Sequence, residues 1–370
     1  MGVKATTMRD APALGRVHYD RRMVQEVRRG RDLAALPKAH LHLHFTGSLS
    51  VPALKRLAEA REMELPAKLV DGVALDVPYD KRGWNRFQRL YDVARAAVRG
   101  EAALRAVVRN AAGEDAAEGS RRLELQVDPT SYASSVGGLQ EALEIVCDEA
   151  RLASAESGVQ VGIVVAASRI RHPLDARTLA RIAARHAGQG AGEVCAFGLN
   201  NNEREGRTHE WEGAFRIARR AGLPGVPHGG ELRGADHLAE VVEHLRPTRV
   251  GHGVRVVEDP DLLRRMVDEG IAFEVCPASN VQLGVYREHH DVPLRDLLDA
   301  GAAVALGADD PLLFLSRLTD QYVTARETHE LDDAALARLA KSSIDASFAP
   351  ADDKRRWRAE VDDWLATPPK

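Results

Sequence analysis

Residues 39–45, Ala-His-Leu-His-Leu-His-Phe, alternate strictly between imidazole and apolar side chains. Period-2 alternation predicts a β-strand with His40, His42 and His44 on one face and Leu41, Leu43 and Phe45 on the other. After the turn Thr46-Gly47-Ser48 the pattern changes to a helical period. Helices are expected over 51–62, over 79–99 and over 101–116; in the second of these Trp84, Phe87, Leu90, Tyr91 and Val98 form an apolar stripe. That stripe reads first as packing, although a helix over a pocket can do both. The next strand starts only near Arg122, far beyond an ordinary strand-to-helix connection. Residues 47–120 therefore read as a helical insertion that caps a pocket.

Beyond the insertion the chain turns regular. Strands are expected over 123–127, 159–165, 194–199, up to His228, 249–252, 271–276 and 303–306. Helices between them are expected over 137–156, 173–186, 211–221, 235–245, 260–269 and 294–300. Apolar strands alternating with helices specify a parallel sheet, and about eight such units predict an α/β fold closed as a (β/α)8 TIM barrel. An open doubly wound sheet is the runner-up, but no glycine-rich nucleotide turn follows any strand. The loop Gly188-Gln189-Gly190-Ala191-Gly192 has the wrong glycine spacing and leads into a strand. One domain over 36–370 is expected, preceded by an Arg-rich arm or helix over 1–35.

Composition narrows the setting. Of 370 residues 44% are hydrophobic, enough for a large core, and the formal net charge of -4 includes no basic block. Neither nucleic acid nor a membrane surface is an expected partner. No apolar run approaches the ~20 residues of a membrane helix. Cys147, Cys195 and Cys276 form no CxxC pair, which points to a reducing, cytoplasmic setting.

In such a barrel the reactive side chains stand at the carboxyl ends of the strands. His42 and His44 end the first strand, Pro227-His228-Gly229-Gly230-Glu231 the fifth, Gly251-His252-Gly253 the sixth, and Gly307-Ala308-Asp309-Asp310-Pro311 the eighth. Taken singly each has an ordinary explanation: a satisfied core histidine, a helix N-cap, a first-turn carboxylate. Together, three histidines and an aspartate suit a zinc ion with an open position for water. Glu231 and His252 are then placed to handle protons, each role being worth roughly 10² to 10⁴ in rate.

These pieces resemble the adenosine deaminase family of metal-dependent amidohydrolases. The resemblance is carried by Pro37-Lys38-Ala39-His40-Leu41-His42-Leu43-His44, His228-Gly229-Gly230-Glu231, Gly251-His252-Gly253, Cys276-Pro277-Ala278-Ser279-Asn280 and Asp309-Asp310-Pro311, in the family's order. It implies one zinc held by His42, His44, His228 and Asp309. It further implies that Glu231 protonates purine N1, that His252 and Asp309 orient the attacking water at C6, and that Asp310 bonds N7. His40 stands where the family usually has a glutamate and receives no ligand role.

Three departures bear on substrate. Thr46 takes the place of an aspartate that contacts the ribose 5′-hydroxyl. Asn201, in Asn200-Asn201-Asn202-Glu203, replaces a glycine whose N–H meets purine N3. Gln126 replaces an arginine on the second strand. The expected partner is a small purine nucleoside: adenosine or deoxyadenosine first, a 5′-modified adenosine such as 6-aminodeoxyfutalosine next, free adenine third. A non-catalytic nucleoside-binding relative would have lost a ligand or the proton donor, and this chain keeps both. A cytidine-deaminase-like site is excluded because the Pro-Cys-x-x-Cys pair is absent. A homo-oligomer stays open.

Overall fold

The structure, a computed structural model, describes residues 30–368. Most of the arm expected over 1–35 lies outside the described residues. Eight strands pair in chain order and in parallel: β1 (Lys38–His44), β2 (Ser120–Val127), β3 (Gln160–Ser168), β4 (Val194–Asn200), β5 (Gly225–Gly229), β6 (Arg249–His252), β7 (Ala272–Val275) and β8 (Val304–Leu306). The circle closes beyond β8, where the backbone of Asp309 exchanges hydrogen bonds with β1. His44 N donates to Asp309 O at 3.0 Å and Asp309 N donates to His42 O at 3.1 Å. This is a (β/α)8 barrel, as the alternation of strands and helices predicts.

The expected strand positions hold, with differences at their ends. β2 begins at Ser120 rather than Leu123 and β3 runs on to Ser168. The residues added to β2 are polar and those added to β3 are two alanines and a serine, yet both extensions pair in the ladder, so tertiary pairing overrides local pattern there. The helix expected over 211–221 divides into a 3₁₀ turn, Thr208–Trp211, and an α-helix, Glu212–Arg220.

Between β1 and β2 lie four helices: α1 (Val51–Glu59), α2 (Ala67–Val70), α3 (Lys81–Ala97) and α4 (Glu101–Ala117). α3 starts two residues later than its pattern suggests because Asp80 caps it, accepting from Gly83 N at 2.7 Å. Its aromatic stripe does two jobs. Phe87 is buried and stacks on Phe314 at 5.7 Å, while Trp84, Phe87 and Tyr91 also line a cleft at the carboxyl end of the barrel.

One expectation for β1 is corrected. The pairing of β1 with β2 slips by a residue between His40 and Leu43. Such a bulge breaks strict alternation, and His40 does not share a site with His42 and His44. It faces Asp115 of α4 instead, Nδ1 to Oδ1 at 3.0 Å.

Candidate active site

β1 delivers His42 and His44, β5 delivers His228, and Glu231 follows in the next turn. β6 ends on His252, and Asp309 and Asp310 follow β8. The ring centroids of His42 lie 5.2 Å from His44, 4.7 Å from His228 and 4.8 Å from His252. The ligand-capable atoms of His42, His44 and His228 all lie within 4.8 Å of one another, as do those of His42, His252 and Asp309. Asp309 Oδ1 is 3.1 Å from His44 Nε2 and 3.4 Å from His42 Nε2. Such crowding of imidazoles needs a neighbour with no side chain: a Cβ at Gly251 would come within 2.7 Å of His228 and 2.8 Å of His42.

Two backbones here are strained. His252 has φ 62° and Asp309 has φ 61°, in the left-handed region that residues with a Cβ visit at a cost. Side chains then hold the groups in place. Ser279 donates to Asp309 Oδ2 at 2.6 Å, and the Asn280 amide lies 3.3 Å from His252 Nδ1. Gly47 leaves room for the Asp310 carboxylate, with which any Cβ would collide.

The residues fit a divalent metal. His42 Nε2 and His228 Nε2 are buried without a hydrogen-bond partner, a costly condition unless something accepts their lone pairs. His42 Nδ1 is 2.8 Å from Glu274 Oε2, so its proton sits on Nδ1 and Nε2 is free as a donor atom. Three imidazoles and one carboxylate form a nitrogen-oxygen set of the kind zinc takes.

Charge is distributed unevenly. Burial, and then the carboxylates of Asp309 and Glu203, push the Glu231 carboxyl well above its ordinary range. Burial and the Asp309 charge do the same to Asp310. Burial also opposes the charged form of Asp309, but the adjacent His42 and His44 imidazoles outweigh it and hold that carboxyl well below the usual range. Burial lowers His252 to about 4. The site thus biases Glu231 and Asp310 toward holding a proton, Asp309 toward the carboxylate and His252 toward the neutral imidazole.

The chain matches the adenosine deaminase family over residues 37–364. It belongs to the adenosine deaminase family. A putative adenosine/adenine deaminase of Streptomyces virginiae is 51% identical over 336 residues, covering 90% of this chain and 98% of that protein. An adenine deaminase of Rhizobium etli is 34% identical, covering 88% and 99%. The crystal structure of an adenine deaminase from Arthrobacter aurescens superposes with a TM-score of 0.82 at 28% identity, covering 90% of this chain and all of that one. This adenosine deaminase family member is a hydrolytic deaminase of an aminopurine. No helix among the described residues is long and apolar enough to cross a membrane.

A cleft open to solvent lies over the cluster. His44, His228, Glu231, His252, Asp309 and Asp310 floor it, and Asn201 lies on its wall with φ 73°. Thr46 sits behind the wall, fully buried, its Oγ1 2.7 Å from the hydroxyl of Tyr132, which does face the cleft. Sequence reasoning gave no role to several residues that shape the site. Glu203 gathers the turn carrying Glu231, accepting from Gly230 N at 2.6 Å and from Glu231 N and Arg233 N at 3.0 Å. Glu274 and Glu124 were detectable as lone carboxylates within apolar strands. Tyr132 had no pattern to mark it.

Proposed function

We propose that this deaminase removes the 6-amino group of a purine nucleoside whose 5′ position carries no free hydroxyl requirement, water adding at C6 and ammonia leaving. His42, His44, His228 and Asp309 hold one zinc ion. Bound there, zinc supplies a Lewis acid that makes water nucleophilic near neutral pH. The chain's own groups do the rest. Glu231, protonated, gives its proton to ring N1, which draws electron density from C6. Neutral His252, 3.7 Å from Glu231 and 4.0 Å from Asp309, lies where it can hold the attacking water and take a proton from it. Asp310, also protonated, donates to N7. Asn201 meets the N3 edge of the base.

The observation that carries this chemistry is the buried Glu231, its carboxyl pushed above the ordinary range by burial, beside the histidine and Asp309 cluster that floors the same cleft. The nucleoside reading is supported by the reach of the cleft, which extends past the base site to Trp84, Phe87 and Tyr91. Those three aromatic rings form an apolar wall against which a 5′ substituent can pack. In place of a carboxylate, the sugar end meets the Tyr132 hydroxyl, backed by Thr46 behind the wall, so no buried charge is left unmatched by a substituted 5′ carbon. Free adenine is the second reading, favoured by the adenine deaminases among the similar proteins.

The test is loss of 6-aminopurine ultraviolet absorbance with zinc-loaded protein on adenosine, 2′-deoxyadenosine, methylthioadenosine, aminodeoxyfutalosine and adenine. Highest kcat/KM on one of the nucleosides, adenosine, deoxyadenosine or a 5′-modified adenosine, is expected. Highest kcat/KM on adenine would select the second reading, and no turnover of any of the five would refute both.

A further inference from the structure

His40 belongs to the strand motif yet takes no part in the zinc cluster, and its surroundings give it a different task. Its ring lies between β1 and α4, 1% exposed, against Asp115, 2% exposed. Nδ1 is 3.0 Å from Asp115 Oδ1 and 3.1 Å from Oδ2. On the other side the backbone N–H of Ala308 donates to Nε2 at 3.0 Å. That second bond decides the tautomer: an Nε2 that accepts carries no proton, so the proton sits on Nδ1 and is donated to Asp115.

Ala308 immediately precedes Asp309, whose φ of 61° needs outside restraint. The peptide joining them carries the Asp309 N–H, which donates to His42 O, and the next carbonyl accepts from His44 N. His40 therefore anchors the start of the segment that aims the Asp309 carboxylate into the cluster. We infer that His40 and Asp115 form a positioning pair, which fixes the Ala308 N–H and through it the place of Asp309 as a zinc ligand. The inference rests on the ligand reading proposed above. It also gives α4, an element of the helical insertion, a direct hold on the zinc site.

The resemblance noted from sequence places a glutamate at position 40. A carboxylate there could accept from Ala308 N–H but would face Asp115 as a second buried negative charge. Histidine is the side chain that accepts on one edge and donates on the other, so His40 and Asp115 work only as a pair.

The test is zinc affinity by chelator competition, with the visible spectrum of the cobalt-loaded protein as a report on coordination. Asp115→Ala removes the acceptor, and His40→Leu removes both contacts. Asp115→Asn keeps an acceptor for Nδ1–H. His40→Gln keeps an acceptor for Ala308 N–H and a donor for Asp115. Leu104→Ala, in the buried face of the same helix, controls for loss of stability alone. The expected result is zinc binding about 10- to 100-fold weaker in Asp115→Ala and His40→Leu, with an altered cobalt spectrum. The amide variants should return near the wild type, and Leu104→Ala should bind as the wild type does. If His40→Leu fails to fold, Asp115→Ala decides. Zinc affinity unchanged in Asp115→Ala, or reduced no more than in Leu104→Ala, overturns the pair. A wild-type protein that binds no zinc overturns the ligand reading itself, and the pair with it.

Discussion

His42 Nδ1 lies 2.8 Å from Glu274 Oε2, with both side chains fully enclosed by the barrel. The contact ends a chain of alternating charges across the barrel interior. Arg249 Nε donates to Glu274 Oε1 at 2.6 Å, Arg249 Nη2 to Glu124 Oε2 at 2.6 Å, and Arg122 Nε to Glu124 Oε1 at 3.1 Å. Every carboxylate in it has a guanidinium, which is the condition under which buried charge is tolerated. Phe348 N, from the segment after the helix Asp333–Ala346, closes the far end on Glu124 Oε1 at 2.7 Å.

Glu274→Gln tests that chain. Glutamine has one acceptor oxygen, and two donors, His42 Nδ1–H and Arg249 Nε–H, claim it. Zinc affinity should fall about 10- to 100-fold because the His42 ring is no longer held. Chelator competition measures the first effect. Urea unfolding should show a loss of about 3 kcal/mol, because Arg122 and Arg249 are then left with one buried carboxylate, Glu124, between them. Wild-type affinity in this variant would show that the Glu274 contact does not orient His42.

Thr46→Asp tests the reading of the sugar end. A carboxylate beside Tyr132 restores the group that the family resemblance assigns to the 5′-hydroxyl. The ratio of kcat/KM for adenosine over methylthioadenosine should rise about 10-fold, the size of one charge-assisted hydrogen bond. Using a ratio removes any general loss of activity from burying the new charge. An unmoved ratio would mean that position 46 does not face the 5′ substituent.

Stability should also respond to pH through Glu118, at the end of α4. Burial, and then the charge of Asp115, lift its carboxyl from 4.5 to about 7. Between those values the folded chain holds a proton that the unfolded chain releases. Stability therefore falls as pH rises through this window, and the whole penalty is present above about 7. In Glu118→Gln the penalty is absent, and the amide oxygen can still accept from Thr319 N, which donates to Glu118 Oε2 at 3.2 Å. The stability advantage of the variant should grow by about 1–3 kcal/mol between pH 5 and pH 8. Parallel pH profiles for the two proteins would contradict the assignment.

The barrel was legible because β3, β4 and β8 are mainly apolar runs that alternate with helical patterns, and because the chemistry-bearing residues recur at strand carboxyl ends. His42, His44, His228, His252 and Asp309 could be brought together from strand ends alone. What periodicity could not show was the register slip between His40 and Leu43, which depends on the partner strand. Nor could it pair His40 with Asp115, 75 residues away on a helix. Glu203 was equally hidden. Its role is to accept backbone N–H groups of the turn after β5, a contact set by how that turn folds back on β4. Long-range polar contacts of this kind leave no local period.

The central claim is that Glu231 supplies the ring proton while His42, His44, His228 and Asp309 hold the metal. The most direct measurement is zinc content together with turnover of the best nucleoside by Glu231→Gln. The account predicts one zinc per chain, as in the wild type, and kcat lower by about 10² to 10⁴. A zinc-loaded Glu231→Gln that turns over substrate at the wild-type rate would contradict it.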